Sequence, residues 1–575
     1  MAVETRETTG RLPYDQDYYL SDPAFVELMR ESLGPEVYAW GGPMLEDMGR
    51  LAARTIAPLS FEANAHPPVL VQYDAEGNRI DEVRVHASYR EMTRLAYGAG
   101  LGGMVYNQEL RDRHGYVPHA LNFGMGYLFS QGEQGLYCPV CMTEGAARLV
   151  DKFAEEGLKR RFLPGLSSRN LETLLQGAMF LTEKQGGSDV GANLCVARPE
   201  GDHWTLHGDK WFCSNAGEAG VHLVLARPEG APAGTRGLGL FLMPKHLEDG
   251  RRNPFLINRL KDKLGTRSMP SGEITLNGAI AYAVGDLGRG FHYMTEMLNM
   301  SRLYNAVASV SVMKRALAES VQYAHTRVAF GRPVDEYPMV RQQLFMMTLE
   351  HEASVALVWE AIRLLDRLDQ GLASEDEQKI LRLLTPLLKY HTAKQAVRFC
   401  SEACEMLGGN GYIETFVTPR LLRDAQVLPI WEGTTNILVL DMLRGLGREQ
   451  AGVPLMASLR ERVGGVSHPA LQGQRERLQR EIDRLEKALG ELMALDEPRL
   501  TLHAKTWGDR AIRVYEAVVL LGQAGREQAR GGSGRKKVLL DAHVARFLTA
   551  SEFGATGWSD DVAPYEHFES VVYCS

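Results

Sequence analysis

A chain of 575 residues is too long for one hydrophobic core and implies three or four domains, while 45% apolar and 24% charged residues exclude wholesale disorder. A formal net charge of −8 excludes a chain-wide nucleic-acid surface, which needs cations to neutralise phosphates. Seven scattered cysteines, no apolar leader in Met1 to Phe25 and no apolar run near the roughly 20 residues that span a bilayer predict a reduced, cytoplasmic protein without a membrane segment.

Residues 1–175 alternate Pro/Gly-rich turns with helical patterns such as Pro23 to Met29, Pro43 to Ile56 and Tyr89 to Tyr97, and show little period-two alternation, so a helical domain is expected. Cys138-Pro139-Val140-Cys141 is half of a zinc-ligand pattern, but no second pair follows at a suitable spacing. Ordinary packing or a helix start is expected there, and no metal.

Residues 176–285 have a β texture. Trp204 to Phe212 reads as a hairpin turning at Gly208-Asp209, and Val221 to Ala226, Leu238 to Met243 and Gly272 to Gly278 read as short strands of a small antiparallel sheet or barrel. Over 286–446, Met294 to Ala324, Leu344 to Leu368, Glu377 to Leu407 and Thr435 to Leu446 repeat apolar residues at helical spacing and predict a bundle.

Residues 447–575 form a helical extension. Leu471, Leu478, Leu485 and Leu492, with Ile482 and Leu489 between them, make the apolar stripe of one long helix, and a second helical run, Ala511 to Leu521, is expected to stop at Gly522. Ala529 to Lys537 reads as a flexible surface loop whose four cations can also grip a polyanion.

The chemistry centres on Pro429-Ile430-Trp431-Glu432-Gly433-Thr434-Thr435-Asn436. A carboxylate among apolar neighbours is a candidate general base, because desolvation raises its pKa toward the useful range. Gly433 allows close approach of backbone to a ligand, and Thr434, Thr435 and Asn436 supply hydrogen-bonding groups. Taken alone, the octet also reads as a helix start capped by Thr434 or Thr435.

A second stretch lies far upstream, Ala178 to Gly191, containing Thr182-Glu183-Lys184-Gln185-Gly186-Gly187-Ser188-Asp189. With Gly408-Gly409-Asn410-Gly411-Tyr412 and Trp431-Glu432-Gly433-Thr434 it resembles the acyl-CoA dehydrogenase flavoprotein family, with its T-E-x-x-x-G-S-D, G-G-x-G-(Y/F) and (Y/W)-E-G-T segments. Tyr19-Leu20-Ser21-Asp22, His66-Pro67-Pro68 and Arg259 to Gly265 bring it nearest to the AidB-like branch, flavoproteins with an added C-terminal helical domain linked in some bacteria to protection against DNA alkylation.

The resemblance implies an α+β, mainly α fold: N-terminal helical domain 1–175, central antiparallel β-domain 176–285, four-helix bundle 286–446 and helical extension 447–575. It implies FAD as cofactor and an acyl-CoA thioester as substrate, with Glu432 removing the α-proton and the β-hydrogen leaving as hydride to the flavin. The α-proton is weakly acidic, so hydrogen bonds must hold the developing enolate; the resemblance assigns the Glu432 backbone N–H and a flavin ribityl hydroxyl to the carbonyl oxygen.

By the same resemblance, Met179, Leu181, Thr182, Ser188, Phe212 and Ser214 line the flavin, with Phe212 and Ser214 standing where relatives usually carry Trp and Thr. Arg327 and Phe330, in an R-x-x-F-G segment, reach the FAD of a neighbouring subunit, while Gly408, Gly409, Ile430, Trp431, Gly433, Thr434 and Asn436 complete the cofactor site. Thr182, Ser188, Ser214, Arg302 and Glu432 meet the substrate.

Ser301 stands where some relatives place the base, leaving Glu432 without an obvious rival. Glu405 replaces a Gln frequent in relatives and puts the local adenine contacts in doubt. The implied partners are further copies of the chain, a homotetramer being favoured, and an electron-transfer flavoprotein as acceptor. The alternative function is a DNA-associated protective flavoprotein with little turnover, suggested by the AidB resemblance and the Arg530 to Lys537 loop.

Overall fold

Asp22 caps the first helix by accepting the Phe25 N–H at 3.3 Å, and Pro23 sits in the first turn where an N–H would have no helical partner. In the computed structural model, which describes residues 14–548, this start opens α1 (Pro23–Leu51). A π-turn over Ala52–Ile56 leads into α2 (Ala57–Ala65). A hairpin follows that sequence periodicity did not announce, β1 (Val69–Tyr73) with β2 (Arg79–Arg84). Its faces carry too little apolar contrast to show alternation; side-chain bonds hold it instead, with Asp81 accepting the Ile257 N–H at 3.0 Å and Gln72 donating to Asn258 O at 3.0 Å.

Next come α3 (Ala87–Gly98), α4 (Gln108–His114), α5 (His119–Gly132), α6 (Tyr137–Phe153) and α7 (Glu156–Leu166). Every residue of α5 is buried, and α5 packs on α1.

The β region comprises β3 (Gly177–Phe180), β4 (Val196–Glu200), β5 (His203–Ser214), β6 (Val221–Pro228), β7 (Gly239–Pro244), β8 (Phe255–Leu260) and β9 (Ser271–Ala283). The order β6-β4-β5-β9-β7 closes because β7 also pairs β6, with β8 added on β9. Most pairings are antiparallel; β3 and β4 both run parallel to β6. The loop between them, which carries the T-E-x-x-x-G-S-D segment, interrupts what would otherwise be one strand beside β6. Leu206, Val224, Phe241, Ile257 and Ile274 fill the centre.

One expectation is corrected here: Gly208-Asp209 is not a hairpin turn. Gly208, at φ 129°, lies inside the continuous strand β5, beside a register shift against β9. A glycine in a strand marks a bulge as readily as a turn, and the long partner β9 decides for the bulge.

Helices return with α8 (Gly290–Thr326), a short hairpin β10 (Val328–Ala329) and β11 (Arg332–Pro333), then α9 (Pro338–Asp369), α10 (Glu375–Met406), α11 (Val417–Ala425) and α12 (Thr435–Gly447). The extension holds α13 (Gly452–Gly464), α14 (Gln472–Met493), α15 (Glu497–Ala529) and α16 (Arg535–Phe547).

The chain divides into two compact units. One comprises residues up to Asp335 with Gln395–Glu432; the other comprises Glu336–Lys394 and the chain from Gly433 onward. In the first, α8 packs on α5 and α6, and α6 on β3. In the second, α15 is central and touches α9, α12, α13, α14 and α16. Leu471, Leu478, Leu485 and Leu492 are all buried. A second correction is that α15 runs through Gly522: burial of Val518 to Leu521 and Ala524 on either side outweighs the roughly 1 kcal/mol that a mid-helix glycine costs. Among the described residues, no helix is long and apolar enough to cross a membrane.

Candidate active site

The loop after β3 is fastened by Glu183. This buried carboxylate accepts from Leu194 N at 2.6 Å, Cys195 N at 3.1 Å and Lys210 Nζ at 2.8 Å. Burial pushes its pKa up, but the Lys210 charge and these hydrogen bonds outweigh burial and carry it down to about 2. Glu183, within the most recognisable segment of the sequence, is therefore a fastener rather than a free base. It leaves Thr182 half-buried and Ser188 exposed, with Met179 half-buried and Leu181 buried just before them. Gly187 is needed for the fold of this loop, since a Cβ there would come within 2.6 Å of Thr182 Oγ1.

The end of β5 brings Phe212 and Ser214 beside this loop, with Trp211 N donating to Thr182 O at 3.0 Å. Phe212 is 59% exposed, and Lys261 Nζ lies 3.6 Å from the centre of the Trp211 ring. Ser214 lies near the Cys138 thiol on α6. One turn on, Cys141 donates to Ser301 Oγ of α8 at 3.4 Å.

Burial drives both thiols upward, Cys138 to about 12, and the nearby charge of Glu432 adds to each. They are thus neutral thiols in the wall around Glu432. Sequence reasoning set this Cys pair aside. The signal was present, since positions i and i+3 at a helix start put both groups on one face.

Glu432 adopts φ 56° and Gly433 φ 104°. A left-handed glutamate costs roughly 1–3 kcal/mol and persists only where surroundings enforce it, most often at functional sites. Arg302 Nε donates to the Glu432 carbonyl oxygen at 3.3 Å, and Trp431 Nε1 donates to Asn305 Oδ1, both from α8. Ser214, Arg302, Trp431 and Glu432, four of the residues singled out by sequence, therefore gather with Cys138, Cys141, Ser301 and Asn305, which sequence did not single out as site residues.

The remaining candidates lie elsewhere in the fold. Ile430 is 61% exposed just before Trp431. Gly433 opens the second unit, where its carbonyl accepts from Lys389 Nζ at 2.7 Å; exposed Thr434 is the N-cap residue of α12, and Asn436 is exposed in its first turn. The helix-start reading of this octet holds at Thr434. Gly408, at φ 59°, and Gly409 form an exposed turn where an added Cβ would meet nothing within 4 Å. Arg327 is exposed beside the β10–β11 hairpin, and Phe330, at φ 51°, is 98% exposed on it. Glu405 is exposed near the end of α10.

The basic segment of the extension is not the loose cationic loop expected. Arg535 and Lys536 start α16 and pair with Glu352 at 2.9 Å each, and Lys537 pairs with Asp541 at 2.6 Å. Burial raises the Glu352 carboxyl, but the two cations overcome it and hold it at about 2. Carboxylates absent from the local sequence window supply the counter-charge.

Residues 12–173 match the N-terminal domain of the adaptive response protein AidB, residues 178–279 the acyl-CoA dehydrogenase middle domain, and residues 288–447 the acyl-CoA dehydrogenase C-terminal domain. The chain is 36% identical over 450 residues to the putative acyl-CoA dehydrogenase AidB of Escherichia coli strain K12, covering 76% of this chain and 79% of that protein.

The chain belongs to the acyl-CoA dehydrogenase family.

It is also 33% identical over 526 residues to acyl-CoA dehydrogenase family member 11 of Caenorhabditis elegans, covering 88% of this chain and 84% of that one. The crystal structure of C. elegans ACDH-11 in complex with C11-CoA superposes with a TM-score of 0.86 at 30% identity, covering 100% of this chain and 98% of that one. The helical extension is therefore shared with that relative.

Acyl-CoA dehydrogenase family members are FAD-dependent flavoproteins. The residues here suit such a group: an exposed Phe212 offers a face to a planar ring, Thr182 and Ser214 offer hydroxyls beside it, and the Gly408-Gly409 turn leaves open the space that side chains would fill.

Proposed function

We propose that this protein is an FAD-dependent acyl-CoA dehydrogenase that introduces an α,β double bond into an acyl-CoA thioester, with Glu432 as the base. The observation that carries this reading is the strained backbone at Glu432, held by Arg302 at its carbonyl and by Asn305 through Trp431, with the neutral thiols of Cys138 and Cys141 nearby. Backbone strain of this kind clusters at functional sites and makes Glu432 the candidate base, whereas Glu183 is committed to Lys210 and two backbone N–H groups.

FAD, when bound, supplies the acceptor for the β-hydrogen, which leaves as hydride. Glu432 takes the α-proton on its carboxylate, and its backbone N–H holds the thioester oxygen as negative charge develops there. Cys138 and Cys141, kept protonated by burial, put no competing anion beside the base. Thr182, Ser188 and Ser214 orient flavin and thioester with Met179, Leu181, Phe212, Ile430 and Trp431 around them. Gly408, Gly409, Gly433, Thr434 and Asn436 hold the rest of the cofactor. Arg327 and Phe330 carry the exposed hairpin into the site of a second copy, which makes the assembly an oligomer, a homotetramer being favoured, and an electron-transfer flavoprotein is the acceptor. The relative crystallised with C11-CoA supports the substrate class.

The reading is tested by anaerobic titration of the yellow protein with acyl-CoAs of graded length: one or more should bleach the flavin, and a broad panel that never bleaches it refutes the proposal. A DNA-associated function with little turnover would need the Arg530 to Lys537 segment to present free charge. The pairing of Arg535, Lys536 and Lys537 with Glu352 and Asp541 weighs against it. Duplex retention with a steep salt dependence would restore that alternative.

A further inference from the structure

Arg302 and Asn305 lie three residues apart on α8 and so share one helical face, and each grips the Trp431–Glu432 pair through a different atom. Arg302 holds the carbonyl of Glu432, and Asn305 holds the indole of Trp431. An indole N–H can only donate, so its partner has to be the amide oxygen, which fixes how the Asn305 amide is turned. At its other end, Nδ2 is buried and donates to nothing among the described residues; the whole residue is 3% exposed. A leucine of similar size would occupy the same place without stranding a buried donor, so packing does not account for an asparagine here. What the asparagine adds is the acceptor for Trp431.

We infer that Asn305 is a positioning residue for the reaction: by holding the indole of Trp431 it sets the left-handed turn at Glu432, and with it the place of the carboxylate. This rests on Glu432 being the base, as proposed above. A glutamate has no preference of its own for positive φ, so the turn relaxes when its clasp loosens, and the carboxylate moves with the backbone. Arg302 alone fixes one point of the turn and leaves the indole free to rotate. Displacing a reacting group by about 1 Å costs about 100-fold in rate.

The test uses the full-length, flavin-loaded protein in single turnover. Asn305→Leu should bleach the flavin about 100-fold more slowly at saturating acyl-CoA, with the half-saturating concentration little changed. Trp431→Phe removes the donor instead of the acceptor and should give a similar loss, and the double variant should be no slower than either single one, because both break the same contact. Asn305→Asp, which keeps an oxygen for the indole, should recover most of the rate. Should Asn305→Leu not accumulate as folded protein, Trp431→Phe carries the same test from the other side.

A readout independent of turnover is ¹⁹F NMR of protein grown on 5-fluorotryptophan. The signal that disappears in Trp431→Phe should be the one that shifts in Asn305→Leu while the others stay in place. A wild-type rate in Asn305→Leu, additive losses in the double variant or an unmoved Trp431 signal would each overturn the inference. A wild type that bleaches with any acyl-CoA while Asn305→Leu matches it removes this inference alone; a wild type that never bleaches removes the proposed function, and this inference with it.

Discussion

Glu432 and Glu516 are two carboxylates in largely helical surroundings, and the protein treats them in opposite ways. Glu516, fully buried in the second unit, receives Arg513 at 2.9 Å and Ser354 at 2.8 Å, with His391 at 3.5 Å and His543 at 3.8 Å. Burial alone would raise its pKa, but Arg513 and the histidines hold it far below the ordinary range. Glu432 is half-buried, borders two neutral thiols and sits in a backbone conformation that glutamate does not choose. The contrast teaches how to tell a structural acid from a working one: the first is relaxed among buried charged partners, the second is held in place by a strained backbone beside neutral thiols.

The comparison breaks first at Glu432 itself. Glu432→Gln keeps the shape and removes the base, so flavin bleaching by acyl-CoA in single turnover should fall by up to about 10⁴-fold with flavin still bound, as absorbance shows. Glu516→Ala should do the reverse. Removing one member of a buried charge cluster leaves Arg513 with Glu350 and takes the acceptor Glu516 from Ser354, so urea unfolding should show a loss of about 3 kcal/mol, while the bleaching rate per folded molecule changes little.

Acid sharpens the same contrast. The Glu516 and Glu352 carboxyls titrate below their unfolded value near 4.5, Glu352 at about 2, so their contribution is complete above that value and is lost as pH falls toward 2. His543, lowered by burial to about 4, adds loss in the window from 6.5 down to 4, because the unfolded chain takes up that proton first. The unfolding free energy from urea titration should therefore fall progressively below about pH 6.5, by roughly 3 kcal/mol from Glu352 alone over its whole window. The smallest effect belongs to the half-exposed Arg535. Arg535→Ala should cost about 1 kcal/mol or less and leave duplex retention in low salt unchanged.

Much of this was legible in the sequence. Glu432 could be singled out because its octet, which alone also reads as a helix start, is joined by the Ala178 to Gly191 stretch in a family resemblance, and the leucines from Leu471 to Leu492 declared their buried stripe through period alone. Other features depended on partners distant in the chain. Glu183 stood in the motif without an assigned role, and only the approach of Lys210 along β5 made it a fastener. The loop at Arg535 looked cationic because Glu352 lies 183 residues away. Asn305 carried no signal, since its meaning comes from an indole brought to it by a turn 126 residues later. The Gly208 bulge and the uninterrupted α15 are cases where a glycine's local permission was overruled by the strand or helix packed against it.

The account stands on proton removal by Glu432, and the most direct measurement is the anaerobic rate of flavin bleaching with an acyl-CoA carrying either hydrogen or deuterium at its α-carbon, in the wild type and in Glu432→Gln. Slower bleaching with deuterium in the wild type, and almost none with either substrate in the variant, is the predicted result. Bleaching of Glu432→Gln at the wild-type rate would contradict it.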